Sequence, residues 1–204
     1  MGEFLARWCR VCAACALLAI PAWPQALELA VGGGQSRLSN AGLGKVDPAS
    51  TQQDDYSLKG GVRIVMRMTF NSQDFTGHET GYAYNRTQLV QNGAGASSQQ
   101  GMAIHQGFYN YLLYPTREGS RVRPFATGGV HFANFVPPGS SATSGGGSTK
   151  FGVNYGGGLK LRLSERFLLR LDVRQYTTPK PFGLINPGGW IRMNEYSTSL
   201  AFVM

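Results

Sequence analysis

The sequence predicts an all-β chain, an eight-stranded antiparallel up-and-down transmembrane β-barrel preceded by a signal peptide. Three observations predict it. Apolar residues recur with a period of two, the spacing of a strand with two unlike faces, and not with the 3.6 of a helix. Charged residues are only 15% of the 204 residues, while Gly contributes 28, against about 25% charged in an ordinary soluble domain. Connections between the alternating segments are short and long by turns. Low charge and abundant Gly argue against a helical bundle. An aromatic share of 11% argues against a disordered chain, which would need more charge and fewer rings. No apolar run reaches the roughly 18 residues of a spanning helix, so a helical membrane protein is excluded.

Residues 1–26 read as the signal peptide and 27–204 as the barrel domain. Arg7 and Arg10 precede the apolar stretch Val11–Ile20, and Pro21, Pro24 and Ala26 follow. This order of basic, apolar and small residues is that of a secretory leader. Cleavage is expected within about four residues of Ala26. Cys9, Cys12 and Cys15 all fall in the leader. Their C-x-x-C-x-x-C spacing lies in an apolar core without a fourth ligand, so no metal or redox site is expected. Removing Arg7, Arg10 and Glu3 takes the net charge from +8 to +7.

Eight strands are expected at 27–38, 57–70, 77–90, 102–115, 121–135, 150–163, 168–180 and 191–204. In the second, Val62, Ile64, Met66, Met68 and Phe70 share one face and Arg63, Val65, Arg67 and Thr69 the other. In the sixth, Val153, Tyr155, Leu159 and Leu161 oppose Asn154, Gly156, Gly158, Lys160 and Arg162. The seventh sets Leu169, Leu171 and Val173 against Arg170, Asp172 and Arg174; the eighth sets Leu200 and Phe202 against Glu195, Ser197 and Ser199. The gaps Asn71–Thr76, Thr116–Ser120 and Ser164–Phe167 are short, and Ser39–Tyr56, Gln91–Gly101, Val136–Thr149 and Pro181–Trp190 are long. Turns therefore gather at one end of the sheet and loops at the other. Strands of this length suit a bilayer, which takes about 9–11 tilted residues to cross.

Alternation does not by itself say which face is outside. An Arg facing lipid at the midplane costs about 2–4 kcal/mol. Arg63, Arg67, Lys160, Arg162, Arg170 and Arg174 share the polar phase of their strands, as do Glu28, Glu79, Asp172 and Glu195. All ten are expected inside, paired as a structural ion network filling a lumen too narrow for an aqueous channel. The outer wall is expected to carry Ile64, Met66, Leu159, Leu161, Leu171, Leu200 and Phe202. Tyr82, Tyr84, Tyr109, Tyr111, Tyr114, Phe132, Phe151, Tyr196 and Phe202 are expected as interfacial girdles. Basic residues locked into strand phase give no nucleic-acid patch, so no nucleic-acid partner is expected.

The stretches Tyr82-Ala83-Tyr84-Asn85-Arg86-Thr87, Arg121-Val122-Arg123-Pro124-Phe125 and Asn154-Tyr155-Gly156-Gly157-Gly158-Leu159-Lys160, with the Leu200/Phe202 ending, resemble the eight-stranded outer-membrane barrels grouped with OmpA and OmpX. The resemblance spans about residues 27–204. It implies a bacterial outer-membrane location, insertion by the barrel-assembly machinery, and contact with outer-membrane lipid and lipopolysaccharide. A monomer is expected. The chain ends in Met204 where the family usually ends in Phe. A peptidoglycan-binding domain, present in larger relatives, is not seen after the barrel.

No catalytic, cofactor or metal residues are expected. His78, His105 and His131 lie on three different strands, without i, i+2 or i, i+4 spacing. Some eight-stranded barrels remodel lipid A with a His-x-Ser pair on one strand. Here His78-Glu79-Thr80 is the nearest sequence, and it has no orienting carboxylate. Gly152–Lys160 lacks the G-K-[ST] of a phosphate loop. Trp190, at the end of the long connection Pro181–Trp190, is expected to anchor at the interface. The reading is a structural or surface-interaction barrel serving envelope integrity or adhesion. A lipid A-modifying enzyme, a soluble barrel for an apolar ligand and a small solute pore remain as alternatives.

Overall fold

A computed structural model describes residues 27–49, 53–72, 75–92, 97–142, 146–185 and 189–204. The leader, with its three cysteines, lies outside the described residues. The strands are β1 Leu27–Ser39, β2 Gly42–Gly44, β3 Tyr56–Ser72, β4 Thr76–Gln91, β5 Ser98–Leu113, β6 Val122–Val136, β7 Ser148–Arg162, β8 Phe167–Pro179 and β9 Trp190–Val203. Eight are long and correspond to the expected eight. The three-residue β2 is a stub on β3, within a connection expected to be loop.

Consecutive long strands pair antiparallel, and β1 pairs with both β3 and β9. That double pairing closes the sheet, so every long strand has two neighbours and no edge is left open. At the seam the Leu27 and Met204 backbones exchange hydrogen bonds of 3.3 and 2.8 Å. Ladder partners step steadily toward the loop end, through Val31, Met66, Tyr82, Gly107, Phe132 and Phe151. The strands are therefore tilted, as barrel closure requires.

Two aromatic rings settle where they do because their cross-strand partners are glycines. Phe108 faces Gly81, and Phe125 faces Gly158. A Cβ on Gly81 would lie 2.4 Å from the Phe108 ring, and one on Gly158 would lie 2.7 Å from the Phe125 ring. Each ring lies over bare backbone inside the barrel. This is how aromatic cover offsets the weak packing of a strand glycine.

The expected outer wall is outside: Ile64, Met66, Leu159, Leu171 and Leu200 are exposed, and Leu161 and Phe202 are half-buried. Tyr114 departs from the expected girdle. It lies just past β5, in register with the inward-facing Leu112, and is buried in the lumen. Tyr82 and Tyr109 face outward from within their strands, where their hydroxyls meet His105 Nδ1 at 2.5 Å and His78 Nδ1 at 2.6 Å. Those bonds satisfy the polar ends of both rings. Trp190 is the first residue of β9 rather than part of the preceding loop.

Candidate functional site

In the lumen the strands converge charged groups of both signs. Each long strand turns alternate residues inward, so Arg63 and Arg67 on β3, Glu79 on β4, Arg170, Asp172 and Arg174 on β8, and Glu195 on β9 all project into it. All seven are buried. Asp172 stands at the centre. Its Oδ2 is 2.9 Å from Arg170 Nε and 3.8 Å from Arg67 Nη1, and its Oδ1 is 2.8 Å from Arg174 Nη2. Glu79 bridges the same two β8 arginines, at 2.6 Å to Arg170 Nη1 and 2.7 Å to Arg174 Nη1. Glu195 pairs with Arg67 and lies 3.1 Å from Arg63 Nε. Four guanidiniums thus share three carboxylates in one connected cluster.

Neutral groups complete the shell. Gln106 accepts from Arg63, whose guanidinium also lies 4.8 Å from the Tyr176 ring centre. Ser199 and Ser197 accept from Arg67 at 2.9 and 3.1 Å. Gln106, Tyr176 and the inward aromatics Phe108 and Phe125 were not among the residues singled out from sequence. Their strand phase was the available signal, because each alternates with an outward neighbour.

A second pair lies at the turn end. Lys160 on β7 binds Glu28 at the start of β1 and donates to Tyr114 Oη at 2.8 Å. Tyr114 in turn donates to Asn71 at 2.9 Å, and Arg123 stacks on its ring at 3.6 Å. Arg162 is not brought into either cluster. It is the last residue of β7, where the lumen opens, and it is half-buried beside Glu118, Arg123 and Lys160. Among the described residues it makes no ion pair.

Toward the loop end the interior becomes apolar. Leu43, Leu58, Met102, Ile104, Ala133, Phe135 and Ile191 form one buried cluster, flanked by Phe182 and Leu184. Leu43 comes from the β1–β3 connection and Phe182 and Leu184 from the β8–β9 connection. A backbone bridge between Lys45 and Ile185, at 2.9 Å in both directions, ties these two connections together over the mouth. Strand phase does not predict this cap, because on β3, β8 and β9 the apolar phase faces outward.

The histidines stay apart. His131 is buried in the lumen 2.8 Å from Thr178 Oγ1, whereas His78 and His105 face outward. Among the described residues no three His, Cys, Asp or Glu converge as a metal site would require.

A closed, tilted, eight-stranded wall with apolar residues outside and ions within is the geometry of an outer-membrane barrel. The model of the outer membrane protein beta-barrel domain matches residues 11–201. The chain belongs to this outer-membrane barrel family. Its members' solved folds agree. OprG of Pseudomonas aeruginosa superimposes with a TM-score of 0.63 at 14% identity, covering 88% of this chain and 97% of that one. Ail, the attachment invasion locus protein of Yersinia pestis, solved with the heparin analogue sucrose octasulfate, gives 0.53 at 12% identity over 89% and 100%. Neisserial surface protein A gives 0.53 at 13% identity over 87% and 97%. No curated protein matches the sequence. As a family member the chain is a bacterial outer-membrane protein.

Proposed function

We propose that this barrel is a non-catalytic structural and surface-contact protein of the outer membrane, its lumen a brace and not a path. The observation that carries this reading is the filling of the lumen: buried Arg–carboxylate pairs around Asp172, then the apolar cluster around Leu43 and Ile191 above them. Narrow eight-stranded barrels are filled by side chains in this way. Interaction with the outside then falls to the loops. Attachment is a role named for Ail, a neighbour in fold.

The test is the conductance of the purified barrel in a planar bilayer, run beside a mass spectrum of lipid A from expressing cells. The proposal expects no steady single-channel steps and an unaltered lipid A mass. Steady conductance abolished by a lumen substitution would establish a pore instead. A new lipid A species, lost on replacing His78, would establish an enzyme.

A further inference from the structure

The inward phase of the wall runs on where the lumen opens at the turn end. Arg123 on β6 and Arg162 at the end of β7 lie in phase with the inward Phe125 and Lys160. Backbone hydrogen bonds carry the pattern one step past the strands. Arg162 N donates to Arg121 O at 2.9 Å, and Val203 N donates to Arg166 O at 2.9 Å. Arg121 and Arg166 therefore continue the inward phase of β6 and β8. Register sets Arg121 beside Arg162, and Arg162 opposite Leu168, two residues from Arg166. Three consecutive strands thus bring four arginines to one side of one mouth.

The surroundings leave positive charge in excess. Arg117, in the turn before Arg121, is a fifth arginine at this end. Among the described residues, the acidic side chains there are Glu28, Glu118 and Glu165. Glu28 is taken up by Lys160 and by Asn71, whose Nδ2 donates to it at 2.6 Å. Even with Glu118 and Glu165 each offsetting one arginine, three positive charges remain. Arg123 is buried, with its guanidinium 3.6 Å from the Tyr114 ring centre. Arg121 and Arg166 are exposed, and Arg162 is half-buried with its Nε lacking a hydrogen-bond partner. Between them lies a cavity of about 20 Å³, lined by Glu28, Glu118, Arg123, Lys160, Arg162 and Leu168.

We infer that this mouth binds the terminal oxyanion group, carboxylate or phosphate, of a water-soluble ligand approaching from the turn side. A guanidinium fork fits both groups, because it offers two parallel N–H donors to two oxygens. The cavity decides how much of the ligand enters. Its volume suits about one water-sized group. One oxyanion group therefore meets Arg162 and Arg123, while the body of the ligand stays outside among Arg117, Arg121 and Arg166. Strand phase decides the source. Lipid lies against the outward residues of this end, Val122, Leu163 and Phe167, whereas the arginines face the water of the mouth. A bound anion also offsets buried charge that Arg123 cannot shed by losing a proton. Neither conductance nor lipid A chemistry bears on this site.

The test titrates the full chain, in zwitterionic detergent, against an N-terminally labelled tetraglutamate peptide and reads fluorescence anisotropy. The reference probe is the tetraglutamine amide, which has no carboxylate. Wild type should bind the acidic peptide at least about ten-fold more tightly, a difference of about 1.4 kcal/mol. Inorganic phosphate should displace it more strongly than chloride at equal ionic strength. The variant R121Q/R162Q/R166Q, checked for folding by its heat-dependent gel shift, should lose the preference. R121Q/R166Q, confined to exposed positions, should weaken it by at least about three-fold. R86Q/R192Q, at the loop end, should keep it. Equal binding of the two peptides by wild type overturns the inference, as does equal loss in the turn-end and loop-end variants. Dihexanoyl phosphatidic acid competing about ten-fold better than glycerol phosphate overturns it too, by assigning the site to a lipid.

Discussion

Arg170 and Asp172, two residues apart on the inward face of β8, form a two-pronged ion pair, Nε to Oδ2 at 2.9 Å and Nη2 to Oδ1 at 3.1 Å. The pair is local to one strand, yet it is the hub through which β3, β4 and β9 are joined. Arg67 reaches Asp172 from β3, and Arg174 reaches it from one turn of the pleat further along. The strand order places all of these at one level of a closed barrel, so the cluster braces the wall across its width.

Removing Asp172 should therefore weaken the barrel more than its size suggests. Asp172→Ala leaves Arg67, Arg170 and Arg174 sharing one fewer carboxylate in a buried site. Breaking a buried pair on one side costs about 3–5 kcal/mol. The temperature at which the folded band converts to the unfolded one in SDS should fall clearly below wild type. An unchanged conversion temperature would show that the cluster carries no stability.

The Glu28–Lys160 pair should behave as a unit. Glu28→Leu or Lys160→Met alone strands the remaining charge beside Tyr114. The double variant replaces both with apolar groups and should be closer to wild type than either single. Urea unfolding of the four proteins in lipid vesicles yields the coupling energy directly. Simple additivity of the two singles would contradict the pairing.

Gly81 should not tolerate a side chain. A Cβ there lies 2.4 Å from the Phe108 ring and 2.5 Å from the Met66 carbonyl oxygen. Gly81→Val should cost about 1–3 kcal/mol through overpacking. Adding Phe108→Leu should recover part of the loss, read as refolding yield into vesicles. If the second change makes matters worse, the ring is not what excludes the side chain.

Orientation follows from the two classes of connection. The cysteines of the sequence are all within residues 1–26, so a cysteine introduced later is a clean reporter. On intact cells a membrane-impermeant maleimide should label Val46→Cys, in the β1–β3 loop, and spare Ser164→Cys, in the β7–β8 turn. Labelling in the reverse pattern would invert the barrel.

Much of this was legible in the sequence because a barrel strand repeats its environment every two residues. The positions of β3, β7, β8 and β9, and the inward phase of Arg63, Arg67, Arg170, Asp172, Arg174 and Glu195, follow from that rhythm alone. The rhythm is less informative on β5 and β6, where Met102, Ile104, Phe108, Leu112, Phe125 and Phe135 are apolar yet face inward. There both phases contain apolar residues, and only the fold shows that one of them packs beneath Leu43 and Phe182. Tyr114 was misplaced for the same reason. Its ring is apolar enough for a girdle, but its phase carries it to Lys160. Arg162 shows the opposite limit, since phase assigns a side and not a depth, and at the end of β7 the lumen has already opened.

The central claim is a closed barrel with its ions inside and its apolar face in the outer membrane. Unheated and boiled samples of the outer-membrane fraction from expressing cells, compared on an SDS gel, test it most directly. The predicted result is a compact, faster-migrating band without heat that shifts to the full apparent mass near 22.1 kDa, or somewhat below after loss of a leader, on boiling. A protein found in the soluble fraction, with one mobility whether heated or not, would contradict it.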